Sequence, residues 1–192
     1  MAVYTFTTAA FYTDRTSENA IWATARSATT GTSTGRYTGA ELVGGNYKIY
    51  RSFMSVSTAS IPDTDTIISG TLTIAFGAKD TTNDFVVALT GHTSDSDITL
   101  ADADFNNITL NSPTEYATRT NNVSTYANPE NHTFTLNTNG LGAISKTGYT
   151  KFCLRSSKDV DNSTPNNRSF LALGATFTLT ITTTGGNFFA IL

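Results

Sequence analysis

Cysteine occurs once in these 192 residues, at Cys153, so no disulfide can form within the chain and the usual staple of small secreted domains is missing. Histidine occurs twice, at His92 and His132, whereas general acid–base and metal chemistry draw heavily on His, Cys and clustered carboxylates. No Gly-x-Ser-x-Gly elbow, His-Glu-x-x-His zinc motif or phosphate-cradling glycine loop is expected, which leaves hydrolase, zinc-protease and nucleotide readings without their mechanical parts. Charge is scarce too. With 14% charged residues and a net charge of -3, the chain has no basic footprint for nucleic acid or for an anionic membrane, and neither is expected as a partner. No apolar run approaches the roughly 20 residues that cross a bilayer as a helix. The start, Met1-Ala2-Val3-Tyr4-Thr5-Phe6, has no basic region and no long apolar core, so no secretory signal is expected, and the five Asn-x-Ser/Thr sequons are expected to stay unmodified. The four prolines are scattered and no Gly/Ser or charge run divides the chain, so a single domain is the expectation.

What the chain does have is threonine, 38 residues of it, alongside 39% hydrophobic content. β-branched side chains lose rotamer freedom in a helix and suit a pleated surface, so the composition favours strands. Apolar and polar residues alternate in short runs separated by turn residues. The clearest is 68–76, where Ile68, Leu72, Ile74 and Phe76 share one face and Ser69, Thr71 and Thr73 the other. Similar runs include Tyr4 and Phe6; 51–56; Phe85, Val87 and Leu89; Phe134 and Leu136; Phe152 and Leu154; and Phe177, Leu179 and Ile181. The reading is all-β: an antiparallel, jelly-roll-like β-sandwich over 1–184, with short helical turns in its loops near 99–105 and 140–148. Between Phe11 and Gly45 the alternation weakens. One strand with long exposed loops is expected there, with Trp22 covering an open edge of the core.

Four pairs of acids, Asp63 with Asp65, Asp95 with Asp97, Asp102 with Asp104 and Asp159 with Asp161, raise calcium binding as an option. Asp and Asn also stabilise loops by bonding their own backbone, and that turn chemistry is the preferred account, so no metal or other cofactor is expected. His92 and His132 are read as loop residues, and Cys153 as a small packing residue. The chain ends in Gly185-Gly186 followed by an apolar tail. Burying Phe188, Phe189, Ile191 and Leu192 is worth on the order of 6–12 kcal/mol at most. Either the tail folds back on its own domain or it docks on a neighbouring copy or partner, and docking is the preferred reading.

The segment Tyr50-Arg51-Ser52-Phe53-Met54-Ser55-Val56-Ser57-Thr58-Ala59-Ser60-Ile61-Pro62, leading into Thr66-Ile67-Ile68-Ser69-Gly70-Thr71-Leu72-Thr73-Ile74, resembles the DNRLRE-type β-sandwich domains. A second block, Phe134-Thr135-Leu136-Asn137 through Gly140-Leu141 and Ala143–Gly148 to Thr150-Lys151-Phe152 and Leu154-Arg155, is similar to one in structural proteins of tailed phages and environmental viruses. The resemblance spans roughly 45–184. The chain departs from it at Met54–Ser57, where the family commonly carries a basic or apolar residue followed by Phe-Asp. The resemblance implies a non-catalytic jelly-roll-like sandwich akin to carbohydrate-binding modules, used on cell surfaces or virions; with no secretory signal expected, a virion assembled in the host cytoplasm is the preferred reading. The expected function is therefore a non-enzymatic phage structural protein, a capsid decoration or a tail or fibre component. It would act as a homo-oligomer, with a trimer the expected form, through contacts with capsid or tail proteins. The alternative is a carbohydrate-binding module that offers Trp22, Tyr37, Tyr47 or Tyr50 to a glycan.

Overall fold

The computed structural model describes residues 1–9 and 11–185. The tail residues Phe188, Phe189, Ile191 and Leu192 lie outside the described residues. Among the described residues nine strands run β1 (Ala2–Phe6), β2 (Phe11–Asn19), β3 (Tyr37–Val43), β4 (Asn46–Ser57), β5 (Ile67–Asp80), β6 (Val87–Thr90), β7 (Glu130–Thr135), β8 (Tyr149–Ser156) and β9 (Phe170–Thr183). Every pairing between them is antiparallel. The order β7-β5-β9-β1 builds one layer and β2-β4-β8-β6 the other. The all-β sandwich expected from the alternation is what the chain forms, wrapped until it is nearly closed.

Strand β3 joins the layers. It pairs through Gly39–Val43 with the first half of β4 and through Tyr37–Gly39 with the start of β9. The turn from β3 to β4 is Gly44-Gly45, both with positive φ, the two-residue hairpin geometry whose twist matches that of the strands it connects. Gly39 is the crossing point. A Cβ there would stand 2.4 Å from the Ser169 carbonyl oxygen and 2.7 Å from the Phe170 Cα. Gly39→Ala is therefore expected to push β3 off β9 and lower stability by about 1–3 kcal/mol, read as a fall in melting temperature.

The inner faces bury Leu72, Ile74 and Phe76 of β5, Leu179 and Ile181 of β9 and Phe134 of β7 against Met54 and Val56 of β4, Phe152 and Leu154 of β8 and Val87 and Leu89 of β6. The outer face of the β7-β5-β9-β1 layer carries the threonines. Thr5, Thr180, Thr71 and Thr135 stand in register across all four strands, and Thr178, Thr73 and Thr133 form the next row. That layer matches the half-buried strands read from the sequence except at two places: an irregularity between Ile67 and Ser69 turns Ile67 to the core and leaves Ile68 exposed, and His132, read as a loop residue, lies inside β7.

The other layer differs: in β4, Arg51, Ser52, Phe53, Met54, Ser55 and Val56 are all buried. Its outer face lies under a second layer of chain containing helix α1 (Trp22–Arg26), and Trp22, Ala25, Ala40, Ile49 and Phe105 form a separate core there. Trp22 closes this second core, not an edge of the main one. The weakly patterned 11–45 stretch holds two strands and this helix where one strand was expected. Of the two expected helical turns, the first is a 3-10 turn, Asp102–Asn106, in which the Ala101 amide donates to Asp104 Oδ2 at 2.7 Å. The second lies earlier than the expected 140–148: α2 runs Thr138–Gly142, because Asn137 caps it by accepting from the Gly140 amide at 3.0 Å, and 143–148 is not helical. A further short helix, α3 (Ser157–Val160), is capped by Ser156.

Candidate ligand cleft

Where β3 leaves one layer for the other, the inner face of the sandwich opens into a cleft of about 750 Å3, within the range typical of small-ligand sites. Alternation along the strands decides what points into it. In β2 it receives Thr16 and Glu18, in β4 Lys48 and Tyr50, and in β3 Tyr37 and Glu41, while Arg168 and Phe170 form the far wall and Thr30, Thr32 and Thr34 the near rim. The register sets Glu18, Lys48 and Glu41 in one row across the three strands and Thr16, Tyr50 and Gly39 in the next.

Tyr37 is the pivot of the aromatic wall. Its ring lies 5.8 Å from that of Tyr50 and 5.8 Å, edge-on, from Phe170. The Tyr50 hydroxyl donates to Glu41 Oε1 at 2.7 Å, and burial together with this carboxylate raises the phenol pKa well above its ordinary value. Lys48 pairs with Glu18 at 3.4 Å and Arg168 with Asp80 at 3.5 Å. The site thus combines aromatic faces, hydroxyls and carboxylates.

The four aromatic residues proposed for glycan contact divide two and two. Tyr37 and Tyr50 line the cleft together. Tyr47, three residues before Tyr50 in the same strand, points to the opposite face, as the period of two requires, and packs edge-on against Trp22 at 5.7 Å. Trp22 is 8% exposed, with its indole N–H donating to Asn162 Oδ1 at 2.9 Å, and so offers no open platform. Glu18, Glu41, Lys48, Arg168 and Phe170 escaped the sequence reading. Glu41 carried a signal, since an acid inside the strand-like run Gly39-Ala40-Glu41-Leu42-Val43 is costly to bury unless it meets a donor.

The paired acids are drawn into separate tasks. Asp159 is wholly buried beneath the outer face of the β4-β8 layer, where Arg51 donates to both its oxygens at 2.8 and 2.9 Å and Arg155 donates to Oδ2 at 2.8 Å. Arg26 closes the group through the Asp159 backbone carbonyl at 2.7 Å. The remaining guanidinium N–H groups meet the carbonyls of Phe105, Arg26, Thr109 and Leu110 and the side chain of Asn111, so the three cations tie the 105–111 loop, α1 and α3 to the sheet. Asp161 pairs with Arg119 at 2.6 Å, Asp97 with Lys151 at 2.8 Å, and Asp65 accepts from the Thr183 hydroxyl at 2.6 Å. Among the described residues, no three His, Cys, Asp or Glu side chains gather to hold a metal ion. Cys153 is fully buried and its thiol pKa is pushed up to about 12 by that burial, which suits a packing residue.

Contrary to the expectation that no such spacing occurs, Gly31-Thr32-Ser33-Thr34-Gly35 has the Gly-x-Ser-x-Gly spacing of a hydrolase nucleophile elbow. An elbow needs a strand-to-helix turn, whereas this segment lies between α1 and β3 and bridges to β2 through Thr16 and Thr32. The Ser33 hydroxyl sits 2.9 Å from that of Thr13 at the exposed rim. Comparison of the chain with protein-family models and with curated proteins finds no match.

Proposed function

We propose that this chain is a non-enzymatic glycan-binding sandwich and that the cleft at the β3 crossing is where the sugar binds. The observation that carries the reading is the convergence of Tyr37, Tyr50 and Phe170 with Glu18, Glu41 and four threonines in one open concavity. A sugar ring has an apolar C–H face and a polar rim, and recognising both takes aromatic surface beside hydroxyls and carboxylates that can exchange hydrogen bonds. Tyr37→Ala removes the ring on which the wall pivots. It is expected to weaken binding to the best ligand on a glycan array by about tenfold or more, the scale of a buried aromatic anchor, with the melting temperature little changed. A glycan-binding chain indifferent to loss of both Tyr37 and Tyr50 would remove the cleft from the account.

A second reading, a phage capsid decoration or tail component, is favoured by the surface at the other end of the molecule. There Met1, Val3 and Ile68 are 95%, 64% and 42% exposed beside the end of β9, an apolar group next to the uncharged threonine rows. The resemblance to DNRLRE-type domains of viral structural proteins supports the same role, with virion proteins and further copies of this chain as partners. The two readings combine in a particle subunit that carries a glycan cleft. Val3→Asp with Ile68→Asp is the test of attachment: it should reduce co-sedimentation with particles and leave glycan binding intact.

A further inference from the structure

We infer that the cleft selects saccharides without anionic groups and that Glu41 sets this preference by accepting a hydrogen bond from the sugar. The inference rests on the glycan reading above. Glu41 is 3% exposed yet lines the cleft. Its Oε1 accepts from the Tyr50 hydroxyl, whereas its Oε2 is buried with no donor among the described residues. A buried carboxylate oxygen left unmatched is unfavourable, so the site is completed by a donor that arrives from outside the chain.

The nearest cations are committed elsewhere. Lys48, opposite Glu41 in the β3–β4 register, pairs with Glu18, and Arg168 pairs with Asp80. A hydroxyl or an ammonium on a sugar packed against Tyr37 supplies the missing donor. Of the acids that line the cleft, Glu18 is bridged to Lys48 and Asp102 to Arg15 at 3.5 Å, whereas Glu41 has no ion pair among the described residues. A uronate, sialyl or sulfate group brought to Glu41 would meet like charge, and the two cations that line the cleft, Lys48 and Arg168, are already paired.

The test uses the full chain with three soluble probes: neutral hexose oligomers, glucosamine oligomers and polyuronate oligomers. Neutral or glucosamine oligomers should bind, with polyuronates weaker by about tenfold or more, the scale of one hydrogen bond to a charged group. Glucosamine outranking hexose identifies an ammonium as the donor, and equal binding identifies a hydroxyl. Glu41→Ala should weaken the preferred probe by a similar factor. Glu41→Gln, which keeps the shape and removes the charge, should raise polyuronate binding relative to hexose. Preferred binding of polyuronates, or an unchanged probe ratio in Glu41→Gln, overturns this inference and leaves the glycan reading standing. Failure of every probe and of a broad glycan array overturns both.

Discussion

Asp159→Ala is expected to cost the fold about 3–5 kcal/mol, the penalty for removing one side of a buried ion group, and so to leave a protein of ordinary stability close to unfolding. The carboxylate is the only anion among the described residues to which the side chains of Arg51 and Arg155 are bridged, and both are wholly buried. Without it, three guanidinium groups remain packed between sheet and loops, faced by backbone carbonyls and the neutral Asn111 side chain. Chemical denaturation at neutral pH reads the loss directly. The pH dependence follows with a definite sign. Arg51 and Arg155 overcome burial and hold the Asp159 carboxyl far below its ordinary value of 3.8. A depressed folded-state pKa gives stability that is complete above the unfolded value and lost as pH falls beneath it. The fold should therefore weaken steeply only below about pH 4 on this account.

His92 acts in a higher window and is expected to produce the second largest effect. Its Nε2 lies 3.1 Å from the Met54 carbonyl, so this nitrogen carries the proton, and Nδ1 accepts from the Ser94 amide at 3.4 Å and lies 3.0 Å from the Ser94 hydroxyl. Burial pushes its pKa down from 6.5 to about 4. Charging the ring sets a cation in a buried site and displaces the Ser94 amide from Nδ1. The folded pKa again lies below the unfolded one, so stability is full above pH 6.5 and drains as pH falls from 6.5 toward 4. The loss is on the order of 3 kcal/mol. His92→Gln, which keeps a donor and an acceptor, should flatten the stability profile across that window. A wild-type profile already flat there would refute the assignment. Burial lowers the His132 pKa as well, so a shallower slope is expected to survive in the variant.

The strands that were legible in the sequence are those with one wet face. Run 68–76 alternates because β5 has the main core on one side and solvent beside its threonines on the other. Strand β2 gave no such signal. Its residues 14–18 are Asp, Arg, Thr, Ser and Glu, since one face lines the polar cleft and the other meets loop carbonyls that Arg15 binds. The second core was hidden for a related reason: its contacts join Arg51 to Asp159, 108 residues apart, and no local pattern reports a pairing at that distance. A hint was available, because Arg51 and Arg155 each stand in otherwise apolar strand runs, where a cation needs a buried partner. The cleft was half legible. Tyr37 and Tyr50 were both named and do line one cleft, and the opposite parity of Tyr47 and Tyr50 was readable from the spacing alone, but the meeting of Tyr37 with Phe170 depends on the β3 crossing.

The pairing of Ala2 with Thr183 has a mechanical consequence. Strand β9 starts at Phe170 in the cleft wall and runs 14 residues to Thr183, a span of about 40 Å for an extended strand. Tethered at Ala2 and Thr183, the domain would hold its cleft at the far pole, facing away from the tether. If the cleft holds a sugar as proposed, tension between it and that tether would run along the strands, loading the ladder hydrogen bonds between β1 and β9 in shear, all together, and not peeling them apart singly.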